Sequence, residues 1–162
     1  MDTTHRHRPA APTPAAPAIG AVAQRTKLVT AADIALFTAI SGDRNPVHYD
    51  AGLAAKSRFA GVIVQGGVTS SLINAVIAEQ LPGPGSVFLE TSWRYPAPVR
   101  PGDAITATVE VVSARPDRCI TTLSTRIVDQ RGVVVLDGTA VVWRDPVVAA
   151  TVTHPHASQG GR

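Results

Sequence analysis

The sequence predicts an α+β domain in which a curved antiparallel sheet wraps around one buried central helix. Three observations carry this expectation. Between Val68 and Gln80, the residues Val68, Leu72, Ile73, Val76 and Ile77 form one stripe, thickened by Ala75 and Ala78. A helix this apolar over most of its girth belongs inside a protein. From Ser86 onward the period changes to that of strands, in four segments separated by turn residues. Finally, 162 residues suffice for one core that needs neither a disulfide nor a structural metal.

Residues 1–20 hold four prolines and many alanines, with no apolar periodicity, and read as a disordered tail. This segment lacks the continuous apolar core of a secretory signal. The domain itself is expected over residues 21–149, with a flexible tail over 150–162. Its first strand is expected at Gln24 to Val29. Thr30 and Asp33 then outline a capping box for a helix carrying Ile34, Phe37 and Ile40, which Gly42 stops. Pro46 and the preceding Asn45 disfavour further helix, so Asp43 to His48 is a loop. Asp50 is the expected N-cap of a short helix reaching Ser57. The central helix follows the Gln65-Gly66-Gly67 turn and stops at Leu81-Pro82-Gly83-Pro84-Gly85. Strands are expected at Ser86–Tyr95, Ala104–Ser113, Ile120–Asp129 and Val133–Arg144, the middle two alternating apolar and polar residues. One helix wrapped by such a sheet is the hot-dog arrangement.

Composition narrows the function. No apolar run is long enough to span a bilayer, and the lone Cys119, read as a small buried strand residue, makes no internal disulfide. No Cys/His cluster has zinc spacing, so no metal is expected. The net charge of +3 resides mostly in the tails, since residues 21–149 hold twelve Lys and Arg against eleven Asp and Glu. No basic run is interleaved with aromatics, and nucleic acid is not an expected partner. Neither is a membrane; a cytoplasmic location is expected. Of five histidines, four sit near the termini, which leaves His48 alone in the body.

His48 stands five residues beyond Asp43, across a proline turn. A carboxylate and an imidazole on one side of a loop can hold and activate a water. The Gln65-Gly66-Gly67 turn offers free backbone N–H groups and a helix dipole to a developing oxyanion. Water activator and oxyanion site together are what addition of water to an α,β-unsaturated thioester requires. Asn45 reads locally as bonding its own loop, and Arg44 as a solvated charge.

The segment Ser41-Gly42-Asp43-Arg44-Asn45-Pro46-Val47-His48-Tyr49-Asp50 resembles the GDxNPxHxD motif of the MaoC-like (R)-specific enoyl-CoA hydratases, the PhaJ type above all. The resemblance continues through Val64-Gln65-Gly66, Gln80-Leu81-Pro82-Gly83 and Pro98-Val99-Arg100-Pro101-Gly102-Asp103, to about Trp143. It implies a hot-dog fold, a homodimer with one continuous sheet, and reversible hydration of trans-2-enoyl-CoA to (R)-3-hydroxyacyl-CoA without a cofactor. Asp43 and His48 match the catalytic dyad, and Gly66 matches the glycine whose amide faces the thioester oxygen. Asn45, Gln65, Gly67 and Asn74 are the expected substrate neighbours. Gln65 stands where the family commonly has histidine; it can donate a hydrogen bond but cannot carry a proton. Asn74 stands where PhaJ-type enzymes can place a serine. Lys56, Arg58, Arg94 and Arg100 are candidates for the CoA phosphates. Two other readings share the pattern: a dehydratase acting on carrier-protein thioesters, and a non-catalytic acyl-CoA-binding hot-dog subunit.

Overall fold

The computed structural model describes residues 15–152. The remainder of the expected tails, residues 1–14 and 153–162, lies outside them. In chain order the elements are β1 (Val22–Leu28), α1 (Ala31–Ser41), a 3-10 turn (Pro46–His48), α2 (Ala51–Lys56) and α3 (Gly66–Glu79). Next come the strands β2 (Ser86–Arg94), β3 (Ala104–Arg115), β4 (Ile120–Asp129) and β5 (Val134–Arg144), and then α4 (Pro146–Thr151). The helix α4, capped by Asp145, carries no apolar stripe to announce it and runs past the expected domain boundary at residue 149.

The five strands form one antiparallel sheet in the order β1-β3-β4-β5-β2. Alternate residues of the central strands face inward: Ile105, Ala107, Val109 and Val111 from β3, Leu123 and Ile127 from β4, and Leu136, Ala140 and Val142 from β5. Against them lie Val68, Leu72, Ile73, Val76 and Ile77 of α3, all buried. Each such aliphatic side chain contributes roughly 1.5–3 kcal/mol on burial. This is the hot-dog arrangement expected from the periodicity. It differs in one respect: α3 is not enclosed all round, since Ser71, Asn74 and Ala78 remain exposed.

Both ends of α1 are fixed locally, and this places the loop beyond it. At the start, the Thr30 N–H (2.8 Å) and hydroxyl (3.1 Å) both donate to Asp33 Oδ2, while Lys27 Nζ stands 3.0 Å from Oδ1. Burial alone would raise the Asp33 pKa, but Thr30 and Lys27 outweigh it and hold the carboxyl below its usual range. At the other end, Gly42 takes the left-handed conformation (φ 76°) and its N–H bonds Thr38 O at 2.8 Å, which turns the chain into the loop carrying Asp43. Cys119 is in neither strand nor core; it is half-buried and left-handed (φ 55°) in the turn before β4. That turn is tightened by the three-residue helix Pro116–Arg118, which strand alternation could not reveal.

Candidate active site

Asp43 is held at three points. Its N–H donates to Ser41 Oγ (3.1 Å), its carbonyl accepts from the Thr38 hydroxyl (2.8 Å), and Oδ1 accepts from the Asn45 N–H (3.0 Å). The second carboxylate oxygen, Oδ2, is thereby turned toward His48, 3.6 Å from Nε2. His48 ends the 3-10 turn and is buried, 8% exposed. Its Nδ1 lies 2.8 Å from the carbonyl oxygen of Ile63. A carbonyl only accepts, so in the neutral ring Nδ1 carries the proton and Nε2 presents a lone pair.

A neutral Nε2 and an ionised Oδ2 are both acceptors, so 3.6 Å is not a hydrogen bond between them. A donor of two protons reconciles them, and water is such a donor. If Nε2 then takes a proton from that water, the imidazolium finds acceptors on both sides, Ile63 O and Asp43. The pair can therefore take up one proton, with Asp43 facing the imidazolium at ion-pair distance.

His48 lines a cavity of about 240 Å³ together with Gly66 and Thr69 of α3, Tyr95 after β2, and Arg58 and Phe59. Val64 and Val99 supply apolar wall. Asp43 is beside His48 but not on this wall. Gly66 is the first residue of α3, in the turn whose N–H groups have no carbonyl four residues back. The two glycines expected to precede the helix therefore belong to it. The Tyr95 ring closes over Gly66, where an added Cβ would lie 3.4 Å from Cε1.

The remaining expected substrate neighbours lie elsewhere. Asn45 is exposed and caps the 3-10 turn through Oδ1, 3.4 Å from the Val47 N–H. Gly67 faces α1, and a Cβ there would overlap the Phe37 ring. Gln65 is buried and turns toward α1 rather than into the cavity. Asn74 is on the exposed face of α3. Among the cations, Arg100 is engaged with the Val62 and Phe59 carbonyls, and Arg94 with Asp137 at 3.1 Å. Arg58 is the one on the cavity wall, its guanidinium 5.1 Å from the Phe59 ring centroid. Thr69 and Tyr95 were not anticipated. Thr69, one helical turn beyond Gly66, could have been found by spacing; nothing in the sequence marks Tyr95.

Comparison with known proteins places this geometry. The family described as MaoC like domain matches residues 14–130. An (R)-specific enoyl-CoA hydratase of Aeromonas caviae is 43% identical over 124 residues, covering 76% of this chain and 92% of the relative. Another, from Rhodospirillum rubrum, is 37% identical over 123 residues, covering 76% and 85%. The solved structure of the A. caviae (R)-hydratase involved in PHA biosynthesis has a TM-score of 0.75 at 41% identity, covering 79% of this chain and 97% of that one. The matched span takes in the Asp43 loop, the start of α3 and four of the five strands, and the chain belongs to the MaoC-like domain family.

Proposed function

We propose that this protein is an (R)-specific enoyl-CoA hydratase that adds water reversibly across the double bond of trans-2-enoyl-CoA. The observation that carries the reading is the 2.8 Å contact of His48 Nδ1 with the Ile63 carbonyl oxygen, which assigns the proton to Nδ1. Pinned by Ile63, the ring aims a basic Nε2 beside Asp43 from a wall shared with Gly66. Relatives at 43% and 37% identity bear the name of this activity.

In this mechanism a water held between Asp43 Oδ2 and His48 Nε2 attacks C3 of the enoyl thioester. The dyad takes a proton from it, and a proton is delivered to C2. As the C2–C3 double bond is lost, enolate charge collects on the thioester oxygen. The Gly66 N–H, reinforced by the dipole of α3, stabilises that charge. Return of the proton to the dyad and expulsion of water runs the same path backward. Arg58 is the cation best placed to meet an anionic group at the cavity mouth.

Two copies are proposed to pair through β2, an edge of the sheet. The opposite edge, β1, exposes Val22 and Leu28 at its two ends with Arg25 and Lys27 between them to guard against strand pairing, whereas the exposed Val87 and Leu89 of β2 stand together near its start.

The test is hydration of crotonyl-CoA and of a longer trans-2-enoyl-CoA, monitored by loss of the conjugated enone and by product stereochemistry. The wild type is expected to give the (R)-alcohol. Asp43→Asn and His48→Ala should each lower kcat by about 10²- to 10⁴-fold. Near-full turnover by Asp43→Asn would remove the dyad from the mechanism. Silence of a folded wild-type protein on both CoA esters, with turnover of a carrier-protein thioester, would move the substrate class.

A further inference from the structure

Gln65, 2% exposed, is among the largest fully buried side chains of the described residues and the polar one of that group, and it does not face the cavity. From the N-cap of α3 it reaches back to α1, with Nε2 3.0 Å from Thr38 Oγ1 and 3.4 Å from the Ile34 carbonyl oxygen. The amide orientation is dictated by chemistry. Turned over, its oxygen would confront the Ile34 carbonyl, and two acceptors repel. Among the described residues, Oε1 has no hydrogen-bond partner.

Thr38 is also buried, and its hydroxyl meets three groups: Gln65 Nε2, the Asp43 carbonyl oxygen at 2.8 Å, and the Tyr49 hydroxyl. A hydroxyl has one proton and two lone pairs. Nε2 can only donate and the Asp43 carbonyl can only accept. The Thr38 proton therefore goes to Asp43, and within the Thr38–Tyr49 pair the donor is the Tyr49 hydroxyl, which also lies 3.4 Å from the Ile34 carbonyl oxygen. Every hydrogen-bonding position of Thr38 is then used, and the direction of each bond is fixed.

From these contacts we infer that Gln65 and Thr38 are positioning residues for the hydration reaction, forming a buried bridge that sets the spacing between its two halves. One end of the bridge is the residue adjoining Gly66, the oxyanion donor. The other is the main chain of Asp43, the water-holding carboxylate. The inference rests on the hydratase function proposed for this site. It assigns Gln65 a part in the reaction that needs no proton transfer, which a glutamine can fill. Neither residue touches substrate; both act through the backbone they hold.

Steady-state kinetics on crotonyl-CoA tests this with Thr38→Val, which keeps the shape and deletes the hydroxyl, and Thr38→Ser, which restores it. Thr38→Val is expected to lower kcat by about 10- to 100-fold, as misplacing a catalytic group by an ångström does. KM should stay within about twofold, because the bridge acts on the transition state and not on binding. Thr38→Ser should recover most of the wild-type kcat. A purely structural role would reduce the yield of folded protein and leave kcat per folded molecule unchanged. That result, or a loss that Thr38→Ser does not rescue, overturns the inference.

If Thr38→Val does not fold, Gln65→Met carries the test, since it cuts the bridge and leaves the Thr38–Asp43 bond in place; the same kcat loss is expected. If neither folds while Thr38→Ser is fully active, the bridge serves stability alone and the inference falls. A wild type inactive on enoyl-CoA would overturn the functional reading itself, and an active Asp43→Asn would remove the dyad from it. An active wild type with a dead Asp43→Asn and an unaffected Thr38→Val would overturn only the bridge.

Discussion

The role proposed for Gly66 depends on a backbone N–H, so among the natural residues only proline can delete it. The local geometry suits that substitution. Gly66 is the first residue of α3, a position proline tolerates well, and Gln65 before it is extended (φ −62°, ψ 145°), as a residue preceding proline must be. The Tyr95 ring, 3.4 Å from the added Cβ, needs to give by a few tenths of an ångström at most. Gly66→Pro is therefore expected to fold and to lose about 10²- to 10³-fold in kcat, the usual cost of one oxyanion donor. Gly66→Ala keeps the N–H and should stay active, and an inactive Ala variant beside an equally folded Pro variant would point to steric blockage instead. That Asp43 stands beside His48 and Gly66 at the head of α3 was legible in the sequence, because the first two share a short loop and the third adjoins a helix start. The directions of Gln65, Gly67 and Asn74 were not. An N-cap side chain can turn either way, and Asn74, five residues beyond the cavity-lining Thr69, stands about 140° round the helix from it, on the exposed face.

Strand β2 connects the core to the cavity, because the chain leaving it supplies Tyr95 and the Pro96–Val99 wall. It is bonded to the sheet through β5 alone. Opposite Trp93 in that pairing stands Gly138, where an added Cβ would overlap the Ser92 carbonyl oxygen and lie 3.1 Å from the Trp93 Cα. Both contacts are backbone, so no side chain can yield. Trp93 is further tied to β4 by Nε1 to Thr125 Oγ1 at 3.1 Å, and its ring meets Phe88 edge-on at 6.1 Å. Gly138→Ala should force β2 away from β5, at a cost of roughly 1–3 kcal/mol or more, measured by urea unfolding. Unfolding at the wild-type midpoint would show that the strands part without penalty. Alternation predicted β5 as a strand but gave Gly138 no special standing; the need for glycine arises from the neighbour across the ladder, which one sequence does not disclose. The same limit applies to Arg100. One of four candidate cations for the CoA phosphates, it clamps the Phe59 and Val62 carbonyls and so shapes the segment lining the cavity.

For the whole molecule, element order and the buried helix were legible because both rest on local periodicity, whereas strand order and the two unlike edges emerge only on folding. Those edges bear on assembly. A sheet edge offers unpaired N–H and C=O groups, and chains that remain apart blunt it with charge. Here Arg25 is exposed on β1 and bonded to Glu79 at 2.6 Å, while Lys27 bonds Asp33. Exposed Val22 and Leu28 flank those charges at the ends of β1, while on β2 the exposed Val87 and Leu89 stand together near the strand's start. Two copies joined edge to edge through β2 would extend the sheet and remove that apolar surface from water. The wild type should accordingly sediment as a dimer at micromolar concentration. A Val87→Lys, Leu89→Lys double variant removes no core contact, so each chain should fold with an unchanged circular dichroism spectrum yet sediment as a monomer. Because β2 runs directly into Tyr95, loosening its outer side is also expected to lower turnover. A wild type that sediments as a monomer would refute the pairing. A double variant that stays dimeric would move the interface to another surface, with the exposed Ser71, Asn74 and Ala78 face of α3 the next to be substituted.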